Sequence, residues 1–151
     1  MISCASLATL CITERSNNLA TSKQQSLKTL IVDDESLARR GLIHRLKAID
    51  DVEVVGEAQN GREALKLIAE KKPDLVFLDI QMPGVSGFEV VQQLDAETMP
   101  LILFLTAYDE YAVRAFEVNA LDYILKPIDE ERLNQVMEKV RDNLSQKRAL
   151  K

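Results

Sequence analysis

Tryptophan is absent from this 151-residue sequence, and histidine occurs once, at His44. The two cysteines, Cys4 and Cys11, both fall in the first dozen residues. A disulfide scaffold or a cysteine-ligated metal site in the body of the chain is therefore excluded, and a reducing cytosol fits. With one histidine, multi-histidine metal centres are excluded too, and no pattern around His44 supports triad chemistry. No apolar run approaches the length of a membrane span, so no membrane partner is expected. Basic excess is also lacking. The net charge is -5 and the isoelectric point near 5.0, which argues against direct nucleic-acid binding, since phosphate contacts need clustered Lys and Arg.

What is there is globular. Hydrophobic residues make up 46% and charged residues 28% of the chain, enough for one domain with a buried core and hardly for two. Residues 1–26 are rich in Ser, Thr, Asn and Gln. Their weakly apolar stretch, Ile2 to Ile12, lacks the positive flank of a secretion signal. This segment is expected to be a flexible leader.

From Lys28 the pattern becomes regular. Short apolar, β-branched runs end at Asp33, Asp79 and Thr106; another starts at Val52, and DYIL stops before Lys126. Between them lie stretches with helical spacing: Leu42, Leu46 and Ile49; Ala64, Leu65 and Ile68; Phe88, Val91 and Leu94; Ala112, Ala115 and Phe116. A fifth helix carries Leu133, Val136, Val140 and Leu144 on one face. Apolar runs without alternation suit strands buried on both sides, as in a parallel sheet covered by helices. Five strands alternating with five helices predict an α/β flavodoxin-like (βα)5 chain, a doubly wound parallel sheet of strand order 2-1-3-4-5. Asn60-Gly61, Pro73, Pro83-Gly84 and Pro100 fall at the expected turns. After about Arg141 the tail turns polar and basic, reading equally as a helix end or a linker over 144–151.

Polar residues cluster at the carboxyl ends of the strands: Asp33 and Asp34, Asp79, Thr106 and Lys126. In open α/β sheets this is the ligand-binding edge. The predicted order makes strands one and three neighbours, bringing three carboxylates together, and their mutual repulsion calls for a cation. Oxygen ligands beside an open face suit Mg2+, and Lys126 adds a point charge for the same anionic centre. Asp79 is then the candidate nucleophile, and Thr106 can donate a hydrogen bond to a transferred phosphoryl group. Taken singly, the Asp pair reads as a helix cap and Thr106 as a turn residue. Their joint arrangement carries the functional reading. His44, on the first helix, reads as a partly exposed helix residue.

LIVDDE, LVFLDIQMPGVSGFEV, FLTA and DYILKP together resemble the receiver domains of two-component response regulators, over Leu27 to Asn143, with the domain placed at 27–143. The resemblance implies that Asp34 and Asp79 bind Mg2+ directly, with the Gln81 carbonyl as a further metal ligand and Asp33 acting largely through water. It implies phosphorylation of Asp79 by a sensor histidine kinase. Thr106 and Tyr123 match the family's switch pair, and Lys126-Pro127 its cis peptide. Gln81 and Tyr108 fall where the family tunes phosphoryl lifetime. The stretch YAVRAFEVNALDYILKPID resembles receivers that precede a LytTR-type DNA-binding domain. This implies transcription regulation through an output domain absent from this sequence, with DNA contacted only by that domain. A stand-alone receiver signalling by protein contact is the alternative. Tyr111, Val113 and Phe116 offer two readings: a homodimer through the face of helix 4 and strand 5, or side chains that all pack inward. An aspartyl-phosphate phosphatase would carry a second Asp two residues after the nucleophile, where this sequence has Gln81. A flavodoxin-type carrier would need a Gly-rich loop in place of DDES. A cytoplasmic signalling switch, not an enzyme acting on outside substrates, is expected.

Overall fold

The computed structural model describes residues 26–118 and 120–149; residues 1–25 of the expected leader lie outside them. Five strands form one parallel sheet: β1 (Leu27–Val32), β2 (Val52–Ala58), β3 (Leu75–Asp79), β4 (Leu101–Thr106) and β5 (Asp122–Leu125). Between and after them run α1 (Ser36–Lys47), α2 (Gly61–Lys71), α3 (Gly87–Gln92), α4 (Tyr111–Glu117) and α5 (Glu130–Ala149). The strand order is β2-β1-β3-β4-β5, the order expected from the sequence.

Alternation along each strand feeds two cores. Val76 and Leu78 of β3 and Ile102 and Phe104 of β4 pack with Ala64, Ile68, Phe88 and Val91 on one face. Leu75, Phe77, Leu103 and Leu105 point the other way, against Leu42, Leu46, Leu133, Val136 and Val140. Both side-chain sets of β3 are buried from end to end. Continuous apolar runs reflect this two-sided burial, where a one-sided sheet would alternate.

Helix ends follow local chemistry. The Asn60 side chain accepts the Glu63 N–H at the start of α2, and Ser86 does the same for Glu89 at α3, each satisfying an orphan donor. Lys72 adopts a left-handed conformation after α2, and Pro73 follows. Two apolar repeats outlast their helices. Ile49 and Leu94 lie in the closing turns, their N–H groups bonded to Leu46 and Val91 carbonyls, so three-residue spacing persists where the helix has ended. At the other extreme, α5 continues to Ala149 because no Gly or Pro interrupts its polar end.

Gly41 stands in the middle of α1, yet a methyl group added there would meet nothing within 4 Å. Its backbone freedom therefore serves no internal packing. Gly41→Ala should stabilise the isolated domain by about 0.5–1 kcal/mol, the difference in helix propensity, measured by urea denaturation. A destabilised variant would contradict this.

Candidate functional site

The register of the sheet assembles the site. Val32 pairs with Leu78, so Asp33 and Asp79 leave adjacent strands at the same level. Asp79 pairs with Leu105 and Thr106 with Leu125, which places Thr106 and Lys126 one and two strands further along the same rim. Order reverses between β1 and β3, and this is the crevice where open α/β sheets bind ligands.

Asp33, Asp34 and Asp79 each bring a carboxylate oxygen within 4.8 Å of the others. Asp33 and Asp79 are buried while Asp34 is exposed. Neither aspartate of the first pair caps α1: the cap position is Glu35, without a side-chain bond, and Asp33 Oδ1 instead accepts the Glu35 N–H at 3.0 Å. Lys126 Nζ donates to Asp33 Oδ2 at 2.8 Å and lies 3.6 Å from Asp79 Oδ2. The Gln81 N–H reaches Asp79 Oδ1 at 3.3 Å. The Lys126-Pro127 peptide is cis.

Electrostatically the pocket is under-compensated. Burial, then the neighbouring Asp33 charge, push the Asp79 carboxyl up to about 7, and Asp34 adds to the rise against the opposing pull of Lys126 and the Gln81 N–H. Burial pulls Lys126 down, but its hydrogen bond to Asp33 and the charges of Asp79, Asp33 and Glu35 leave it raised and firmly cationic. Three carboxylates thus share one close ammonium group. With all three ionised the cluster carries two excess negative charges, and hard oxygen donors at an open rim fit a divalent cation such as Mg2+, which would favour that ionised form.

Thr106, buried at the end of β4, accepts the Tyr108 N–H at 3.0 Å, and its hydroxyl donates to the Tyr108 carbonyl at 3.2 Å. Its proton is committed to the backbone, so serving an anion at Asp79 means exchanging that acceptor. Tyr123 pairs with Phe104 across β4 and β5 and is half-buried. The Arg132 guanidinium lies 5.7 Å from its ring centroid and donates to its carbonyl at 2.9 Å. His44 is exposed on α1 and is not part of the ligand-bearing cluster. Tyr111 packs edge-on against Phe88; the side chains of Ala112, Val113 and Phe116 lie outside the described residues.

Some contributors escaped the sequence reading. Arg39 donates to the Asp33 carbonyl at 2.6 Å and to Glu57 at 3.1 Å, tying the acidic loop to β2. Gly87 lies so close under β3 that a Cβ there would sit 2.6 Å from the Asp79 carbonyl oxygen. The glycine lets α3 begin directly beneath the Asp79 backbone. Gly84, at φ +85, makes the preceding turn. PGVSG carries that signal in sequence, as glycines spaced around a helix cap.

Residues 29–138 match the response regulator receiver domain model. The chain belongs to the response regulator receiver family. This receiver is 52% identical over 119 residues to the transcriptional regulatory protein BtsR of Salmonella typhi, covering 79% of this chain and 50% of that protein. It is 52% identical over 120 residues to an uncharacterized response regulatory protein of Vibrio parahaemolyticus, covering 80% and 50%. The receiver thus spans about half the length of these curated relatives. Among solved structures, the response regulatory domain of MrkE from Klebsiella pneumoniae superposes with a TM-score of 0.71 at 37% identity, covering 80% of this chain and 99% of that one. The REC domain of AraT from Geobacillus stearothermophilus gives 0.72 at 35% identity, covering 81% and 98%. No helix among the described residues is long and apolar enough to cross a membrane.

Proposed function

We propose that this receiver accepts a phosphoryl group on Asp79 from a sensor histidine kinase and passes the change to an output domain of LytTR type, regulating transcription in the cytoplasm. One observation carries the reading: three carboxylates within 4.8 Å of one another, with Lys126 2.8 Å from Asp33 and 3.6 Å from Asp79. Asp34, Asp79 and the Gln81 carbonyl would hold Mg2+, with Asp33 acting through water. Bound Mg2+ would neutralise the carboxylates and the phosphoryl oxygens in transfer.

The chain's own residues do the rest. Ionised Asp79 attacks phosphorus as the P–N bond to the kinase histidine breaks and its electron pair returns to the imidazole nitrogen, so no general base is required. Lys126 takes charge on an equatorial oxygen, and Thr106 turns its hydroxyl from the Tyr108 carbonyl to the phosphoryl group. The vacated space behind Thr106 lets the Tyr123 ring move inward, altering the face of α4 and β5. Exposed Leu125 on the edge strand supports that face as a dimer contact. The greater length of the relatives, and the role of BtsR as a transcriptional regulatory protein, support an output domain beyond the receiver.

Incubation with MgCl2 and acetyl phosphate tests the reading. One phosphoryl group per chain, acid-stable and lost in alkali as acyl phosphates are, and absent when EDTA replaces magnesium, is the expected result by intact mass. Catalytic turnover of added phosphoesters without a labelled chain would favour a phosphatase instead.

A further inference from the structure

Asp33 is held at every one of its polar atoms. Its N–H donates to the Ala58 carbonyl of β2 at 3.1 Å, its Oδ1 accepts the Glu35 N–H, and its Oδ2 accepts Lys126 Nζ. The fourth bond comes from α1. Arg39 Nη1 donates to the Asp33 carbonyl at 2.6 Å while its Nε donates to Glu57 Oε1 at 3.1 Å. Glu57 and Ala58 are consecutive on β2, an edge strand, so both ends of the Asp33 backbone are tied to one short piece of it. We propose that Arg39 is a positioning residue for the metal site: it fixes the plane of the Asp33-Asp34 peptide and with it the aim of the Asp34 carboxylate.

The need for such a residue follows from where Asp34 stands. It lies two residues past the end of β1 and is exposed, so neither sheet nor core sets its direction. A peptide unit is planar. Once the Asp33 carbonyl oxygen is held, the nitrogen and Cα of Asp34 are placed as well, and only the torsions of Asp34 itself remain. Its carboxylate then falls within 4.8 Å of those of Asp33 and Asp79. With the carbonyl released, the peptide can turn and carry Asp34 away from Asp79.

Arginine suits this task. Its planar fork grips two acceptors at a set angle, which an ammonium on a flexible stem does not. The Arg39 side chain is only 15% exposed, against 46% for Glu57. A partly exposed ion pair adds little net stability, so the geometry it imposes is the larger consequence. Charge acts in the opposite sense. A guanidinium near the pocket repels a cation, and the Glu57 carboxylate offsets that repulsion. Losing the grip therefore weakens Mg2+ binding, whereas losing only a positive charge strengthens it, and the sign of the change decides between them.

This inference rests on the acidic cluster being a Mg2+ site, and the experiment separates the two. The full chain, freed of metal with EDTA and exchanged into metal-free buffer at pH 7.5, is titrated with MgCl2 at constant ionic strength. The dissociation constant is read from amide chemical shifts, and urea denaturation without metal reports folding separately. Arg39→Met keeps the stem and loses both donors. It should weaken Mg2+ binding by about tenfold, the lower end of what the loss of an outer-shell partner costs. Arg39→Lys, which keeps the charge without the fork, should weaken it similarly. Arg40→Met, which removes the same charge from the exposed neighbour on α1, should leave the affinity unchanged. Binding by wild type together with equal or tighter binding by Arg39→Met overturns the positioning role alone. Wild-type affinity in Arg39→Lys, or an equal loss in Arg40→Met, overturns it too. Should Arg39→Met fail to fold, the contrast between Arg39→Lys and Arg40→Met decides the question. A wild-type chain that binds no Mg2+ overturns both readings.

Discussion

Asp79→Asn should abolish acceptance of a phosphoryl group from acetyl phosphate, lowering labelling by roughly 10⁴-fold or more, the scale at which loss of a nucleophile is felt. The amide replaces an ionised oxygen with neutral ones of nearly the same shape. Its Oδ1 still accepts the Gln81 N–H that Asp79 takes at 3.3 Å, so the loop after β3 keeps its anchor. The Lys126 ammonium also keeps its 2.8 Å bond to Asp33. Fold and charge scaffold survive while the attacking group is lost. The control is thermal melting, where the variant should be at least as stable as wild type. Label retained at near wild-type rate, mapped to Asp33 or Asp34, would sink the assignment of the nucleophile.

Much of this site was legible because strand ends are legible. An apolar run buried on both faces stops where the chain leaves the sheet, so the first polar residue after it marks the rim. Asp33, Asp79, Thr106 and Lys126 were found that way, and strand order β2-β1-β3-β4-β5 brought them together. Contacts that depend on the angle between two elements left no such mark. Nothing in the spacing of Gln81 and Tyr111, thirty residues apart, says that a carboxamide meets a phenol. Arg39 on the Asp33 carbonyl is equally silent, since a basic residue on a helix is most often a solvated one. Gly87 was partly readable. Glycine after a cap serine hints at close approach, but only coordinates reveal that the neighbour is the Asp79 carbonyl oxygen. The extent of α5 was open because propensity without a stop signal sets no end.

Stability of the metal-free receiver should fall as pH rises from about 4 to about 7, and Asp79→Asn should remove most of that slope. The cause is the Asp79 carboxyl, which burial and the neighbouring Asp33 raise to about 7 from 3.8. Within that window the folded state keeps a proton that the unfolded chain has released. Unfolding therefore releases the proton, and raising the pH favours the unfolded chain. Below pH 4 both states are protonated and the group costs nothing. Above pH 7 both are ionised and the full penalty is present, on the order of 2–4 kcal/mol. Other groups titrate in the same window, so the informative quantity is wild type minus Asp79→Asn, measured by urea denaturation in EDTA at half-unit steps. That difference should be near zero at the acid end and favour the variant by a growing margin toward pH 7. Adding MgCl2 at pH 7.5 should restore stability to wild type according to its occupancy, and do little at pH 5, where protonated Asp79 competes with the cation. Parallel pH profiles for the two proteins would mean that Asp79 ionises as an ordinary carboxylate, and that the crowding of three carboxylates around one lysine is relieved without any ion.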